Sequence, residues 1–181
     1  MKTFLSMTSK FGLFFVVAFL ALQATPAAAA DSGSGTYVGK SPFDRKPFSF
    51  TFKDAYAFRA EDPTYGPATV VILSDLPMDK KAMTAALKKE RDEMALKLDP
   101  YLAAYVRLKI DQKGKIRGYK FYSRGLSDGE PSGEGDAKVN TAKRVEGSFS
   151  YNYSGNKLDL RFATDLADVG PGAPVKMKSG L

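Results

Sequence analysis

The chain has 181 residues, 44% of them apolar and 26% charged, with a formal charge of +7 and no histidine, cysteine or tryptophan. Lacking histidine, it has no imidazole to serve as general base, proton shuttle or metal ligand. Lacking cysteine, it has no thiol nucleophile, disulfide, thiolate metal site or cysteine-linked lipid.

The first thirty residues read as an export signal. Lys2 and Lys10 precede an uncharged apolar run, Phe11 to Leu22, which as a helix would rise only about 18 Å against a hydrocarbon core of roughly 30 Å. Pro26 breaks that run, and Ala28-Ala29-Ala30 offers small side chains for cleavage just before Asp31. The expected product is a periplasmic or extracellular protein, not membrane-spanning once cleaved. Two of the 27 basic residues leave with the signal, so about +5 remains against the 20 acids. Residues 31–36, DSGSGT, are small and polar and read as a flexible linker, and residues 169–181, rich in Gly and Pro, as a flexible tail. A single β-rich domain is expected between them, over 37–168.

Gly39-Lys40-Ser41 resembles the end of a phosphate-binding loop, but Ser34 stands where the first glycine belongs and Pro42 follows closely. Linker is expected there, and no cofactor is called for. Phe48, Phe50 and Phe52 alternate with Ser49, Thr51 and Lys53, a period of two that predicts a strand with one aromatic face. Ala68 to Leu73, ATVVIL, is apolar at nearly every position and predicts a central strand covered on both sides. Asp79 can cap a helix running from Lys80 to about Leu98, a stretch without Gly or Pro. Met83, Leu87, Met94 and Leu98 would form its buried stripe. Val106, Leu108 and Ile110 alternate with charged residues, and Asp111-Gln112-Lys113-Gly114 supplies a turn that returns the chain through Ile116 to Tyr122. A second hairpin is expected around Ser154-Gly155-Asn156, between Val145–Tyr153 and Leu158–Phe162. One helix among hairpin-linked strands predicts an α+β domain, mainly an antiparallel β-sheet or open β-sandwich with one covering helix.

Three constellations bear on function. Asp54 and Asp75 fall at strand ends, and a carboxylate pair is the acid–base chemistry open to a chain without histidine; they are the candidates for an envelope hydrolase. Asp128, Glu130, Glu134 and Asp136 lie among glycines, where carboxylates could gather around calcium, although their spacing fits no helix-loop-helix site and a solvated loop is expected. The central hairpin crowds rings and cations together: Tyr105, Arg107 and Lys109 share a parity on its first strand, and Arg117, Tyr119 and Phe121 on its second. If those faces coincide, the sheet displays a surface for stacking and for anionic groups. Export and modest charge speak against nucleic acid as partner. The expected function is therefore an exported binding or interaction domain, with an anionic glycan or acidic envelope protein as partner. A hydrolase or a structural accessory subunit stands as the alternative.

Overall fold

The computed structural model describes residues 31–40, 46–123, 126–130 and 133–177; the expected export signal and Ser41 lie outside them. It contains two open, mostly antiparallel sheets and one short helix. The strands are β1 (Ser32–Lys40), β2 (Pro47–Phe52), β3 (Asp54–Asp62), β4 (Gly66–Ser74), β5 (Tyr105–Asp111), β6 (Ile116–Ser123), β7 (Leu126–Glu130), β8 (Ala137–Asn140), β9 (Arg144–Tyr153), β10 (Asn156–Asp165) and β11 (Val175–Lys176), with the helix α1 (Lys80–Glu90) between β4 and β5. One sheet runs in the order β2-β1-β10-β9-β8 and the other β11-β3-β4-β5-β6-β7.

The two sheets share a core. Tyr37, Phe52, Phe149, Leu158, Leu160 and Phe162 of the first meet Val71, Leu73, Val106, Leu108, Ile110 and Phe121 of the second. The phenylalanine alternation of β2 turns Phe52 inward and leaves Ser49 and Thr51 exposed. At Lys53 the chain crosses from the first sheet to the second, and the Lys53 N–H donates to the Ser74 carbonyl. β4 lies between β3 and β5, as its unbroken apolar run predicts: Val71 and Leu73 enter the shared core, while Val70 and Ile72 enter a second cluster on the opposite face with Phe58, Met83 and Leu87.

Three expected boundaries change. Residues 31–36 are no linker, because β1 begins at Ser32 and pairs along its length with β10 and β2. Glycine serves close packing here: a Cβ on Gly33 would lie 2.7 Å from that of Ala55 on the facing sheet. Asp31 anchors the start, accepting from the Asp165 N–H at 2.9 Å. The tail from 169 docks as well, since β11 pairs in parallel with β3 and buries Val175 and Met177 against α1. The helix ends earlier than its composition suggests. Arg91 takes a left-handed conformation (φ 53°) and donates its N–H to the Leu87 carbonyl. It is held there by tertiary contacts: its carbonyl accepts from the Lys176 N–H, and its guanidinium donates to the carbonyls of Gly170 and Pro171. A 3-10 turn, Glu93–Leu96, follows, leaving Met94 exposed at 61% rather than buried in the helical stripe.

The two-sided burial of β4 gives a direct test. Leu73→Asp places an unpaired carboxylate in the shared core, and it should abolish cooperative urea unfolding. Leu76→Asp, three residues on and 48% exposed, should leave the midpoint nearly unchanged.

Candidate functional site

The basic aromatic hairpin forms, but its two strands do not combine as their parities suggest. β5 and β6 pair Leu108 with Tyr119 and Lys109 with Gly118, yet Ile110 with Ile116, so Arg117 is one residue extra. Tyr119 and Phe121 therefore point into the core between the sheets, where the Phe121 ring stacks on Tyr37 at 4.0 Å. Tyr105, Arg107 and Lys109 occupy the other face, beside Lys120 and Tyr122. The bulge returns Arg117 to that side, and both its guanidinium and the Lys109 ammonium lie 5.6 Å from the Tyr65 ring centre.

Three cations on this face already have anionic partners. Arg107 donates to both carboxylate oxygens of Glu93 at 2.8 Å. Lys109 pairs with Asp62 at 2.5 Å, both side chains nearly inaccessible, and Arg117 pairs with Asp111 at 2.6 Å. Burial alone would raise the Asp62 carboxyl, but the Lys109 ammonium and the Tyr65 and Thr64 N–H groups outweigh it and hold the group below its ordinary value. Burial likewise pushes the Tyr105 phenol up to about 12, helped by Tyr122 and opposed by Arg107, so it remains a proton donor at neutral pH.

The acidic candidates also have structural work. Asp128 lies on β7, where a loop was expected, and its Oδ2 accepts from Tyr37, Tyr119 and Asn156 at 2.9, 3.0 and 3.1 Å. That carboxylate ties the two sheets together, and burial followed by its charge drives both tyrosine phenols well above their usual range. The Glu130 backbone belongs to β7. Glu134 pairs through its backbone with Ser150, and the Asp136 carbonyl accepts from Ser148. Among the described residues, no group of three acids could hold a metal ion.

Asp54 accepts from the N–H groups of Ala55 and Met78 and pairs with Lys80 at 3.0 Å. Asp75 accepts from Ala104 N–H at 2.9 Å, while its own N–H donates to the Ala104 carbonyl. These bonds fix the segments that enter and leave the helical layer. Asp79 caps α1 through the Ala82 N–H, Asp92 caps the 3-10 turn through Met94, and Asp99 holds Tyr101. Five aspartates thus frame one region.

Within this frame lies a groove of about 690 Å³. Ala82, Ala85, Ala86 and Lys89 of α1 form one wall, at the spacing of a single helical face. Leu87 faces the sheet instead, and Met83, packed in the same cluster, also borders the groove. Leu96, Leu98 and Leu102 line the groove from the other side, with Leu76, Pro77 and Met78 at one end and Tyr105 contributing from β5. Of the six hairpin residues picked as ligand-binding, only Tyr105 lines it. No protein family, curated protein or solved structure matches this chain. The groove escaped sequence reading because its helix wall is alanine, which looks like helix propensity and not like a surface. The run of aspartates at segment ends was the available signal.

The Lys109–Asp62 pair carries a measurable consequence. Lys109→Met should destabilise by about 3–5 kcal/mol, because it leaves a buried carboxylate unpaired, and adding Asp62→Asn should restore most of the loss. Because the Asp62 pKa is depressed in the folded state, its contribution is present above the ordinary carboxylate value of about 4 and is lost as pH falls through the folded value. Urea midpoints measured across the acid range should therefore fall less steeply in the double variant than in the native protein.

Proposed function

We propose that this protein is an exported, non-catalytic binding domain, acting in the periplasm or outside the cell, in which a β-sandwich supports a groove for an amphipathic helix of a partner protein. The observation that carries this reading is the groove between α1 and residues 95–103, with Leu102 exposed at 77%, Tyr101 beside it at 72% and Leu76 at 48%. Its volume falls within the range of true binding clefts, and clustered exposed apolar side chains mark interaction surfaces.

The lining chemistry favours a helix over a lipid. The alanine wall lets a backbone approach closely, and the opposing leucines suit side chains at helical spacing. Charges of both signs line the groove, Lys89 and Lys97 with Asp79, Glu90 and Asp99. That balance matches a polypeptide with mixed charge and gives an anionic headgroup no net cationic recess. A hydrolytic reading loses support because Asp54 and Asp75 are engaged by backbone N–H groups. Capture of anions by the hairpin loses support because Arg107, Lys109 and Arg117 each face a carboxylate.

A photo-crosslinking residue at Ala85, used on the mature domain in its native envelope, tests the proposal. Attachment should map to a helical, amphipathic segment of one partner and should persist at about 1 M salt, where the screening length is only about 3 Å. Leu102→Asp should weaken capture about tenfold or more, since burying a leucine contributes roughly 1.5–3 kcal/mol. Capture that disappears with salt and ignores Leu102→Asp would overturn the reading in favour of an electrostatic surface.

A further inference from the structure

The outer face of the first sheet carries a recess of about 300 Å³, lined by Ser34, Gly35, Thr36, Asp159 and Arg161. Register places its four side chains on one side of the sheet. Ser34 lies opposite Arg161 and Thr36 opposite Asp159 across the β1–β10 ladder, and all four are exposed. Tyr37, Leu158, Leu160 and Phe162, of the other parity, are buried between the sheets. Two short rows result, one of hydroxyl and guanidinium and one of hydroxyl and carboxylate, set two residues or about 6.6 Å apart along the strands. β10 is paired on both sides, with β1 and β9, so the backbone beneath the rows is fixed. Gly35 brings β1 close at this point: its φ is 152°, and a Cβ there would lie 2.2 Å from the Asp159 carbonyl oxygen.

Among the described residues, neither the Asp159 carboxylate nor the Arg161 guanidinium forms an ion pair or a side-chain hydrogen bond. The guanidinium donates in a planar fork that matches an oxyanion, whereas the carboxylate only accepts. A hydroxyl stands beside each. The opposed charges select the ligand. A simple anion is drawn by Arg161 and repelled by Asp159, and a simple cation meets the reverse. A neutral sugar leaves both charges uncompensated and finds no ring here to stack on. A molecule that carries an anionic and a cationic group at the separation of the two rows compensates both. An α-amino acid holds its charges too close together to reach both rows. A quaternary ammonium donates no hydrogen bond and requires an aromatic cage, which this recess lacks, so a primary ammonium fits Asp159 and Thr36 better.

We infer that this recess binds a phosphoethanolamine group, with its phosphate on Arg161 and Ser34 and its ammonium on Asp159 and Thr36. The recess lies on the first sheet and the α1 groove on the far side of the second, so the two sites fill independently.

The test is titration of the isotopically labelled mature domain with O-phosphoethanolamine, followed by backbone amide NMR shifts. Saturable shifts should centre on Ser34–Thr36 and Asp159–Arg161 at low-millimolar concentration. Inorganic phosphate or ethanolamine alone should bind about fivefold more weakly or worse, since each loses one set of charged hydrogen bonds. Arg161→Gln and Asp159→Asn should each weaken phosphoethanolamine by a similar factor. Asp159→Asn should at the same time strengthen inorganic phosphate, because the repelling charge is gone, and a damaged fold would not produce those opposite signs. Phosphatidylcholine vesicles with and without phosphatidylethanolamine separate two sources of the group. Sedimentation with the ethanolamine-containing vesicles alone identifies a lipid headgroup, and binding of the free compound without the vesicles identifies a soluble one. Absence of shifts in the recess, inorganic phosphate binding as tightly as phosphoethanolamine, or affinity unchanged in either variant would each overturn the inference.

Discussion

The burial of one sheet on both faces is the constraint on which the other features depend. β3, β4 and β5 meet the first sheet on one side and α1 with the C-terminal segment on the other. A strand covered twice must be apolar at successive positions, and β4 is from Val70 to Leu73. β5 is not: Arg107 and Lys109 fall on its helix-side face, where water is largely excluded. Glu93 on the 3-10 turn and Asp62 at the end of β3 supply the charges that make this burial tolerable. Glu93 can reach Arg107 because α1 stops at Arg91 and the chain turns back, and that stop in turn rests on the docked C-terminal segment. Charge neutralisation, helix length and tail docking are thus linked.

The periodic elements were legible in the sequence. The phenylalanine alternation of β2, the apolar run of β4 and both hairpins around Gly114 and Gly155 appear where residue period and turn chemistry put them, because each signal is local. β3 was not legible. Its shared-core face carries only Ala55 and Ala57, small because Gly33 of the facing sheet approaches so closely, and no single-sequence pattern reveals a close approach between strands more than twenty residues apart. The hairpin faces failed for a smaller reason. A bulge adds Arg117, and one residue reverses the side on which every later residue on the strand points. Parity counted along β5 was sound, but on β6 that insertion sets Arg117 on the face opposite Tyr119 and Phe121.

The acidic residues show how context assigns a role. Asp54 and Asp75 at strand ends and Asp128 in a glycine-rich stretch have the composition of catalytic or metal-binding groups. In the folded chain they hold backbone N–H groups, tyrosine hydroxyls and an asparagine amide. Carboxylates with this many donors are structural fasteners, and their consequence for function is indirect: Asp54 and Asp75 fix the segments that border the α1 groove, and Asp128 ties the two sheets together. Among the described residues, Leu76 and Leu102 beside the α1 groove keep exposed apolar surface.

Proposed binding through the α1 groove, with the charged hairpin serving the fold, can be tested most directly by hydrogen–deuterium exchange of the mature domain with and without its envelope partner. Groove binding requires new protection concentrated in α1 and residues 95–103, with β5 and β6 unchanged because their bonds are already shielded. Protection gained on β6 around Arg117 to Tyr122, with α1 unaffected, would contradict it and return the binding surface to the hairpin.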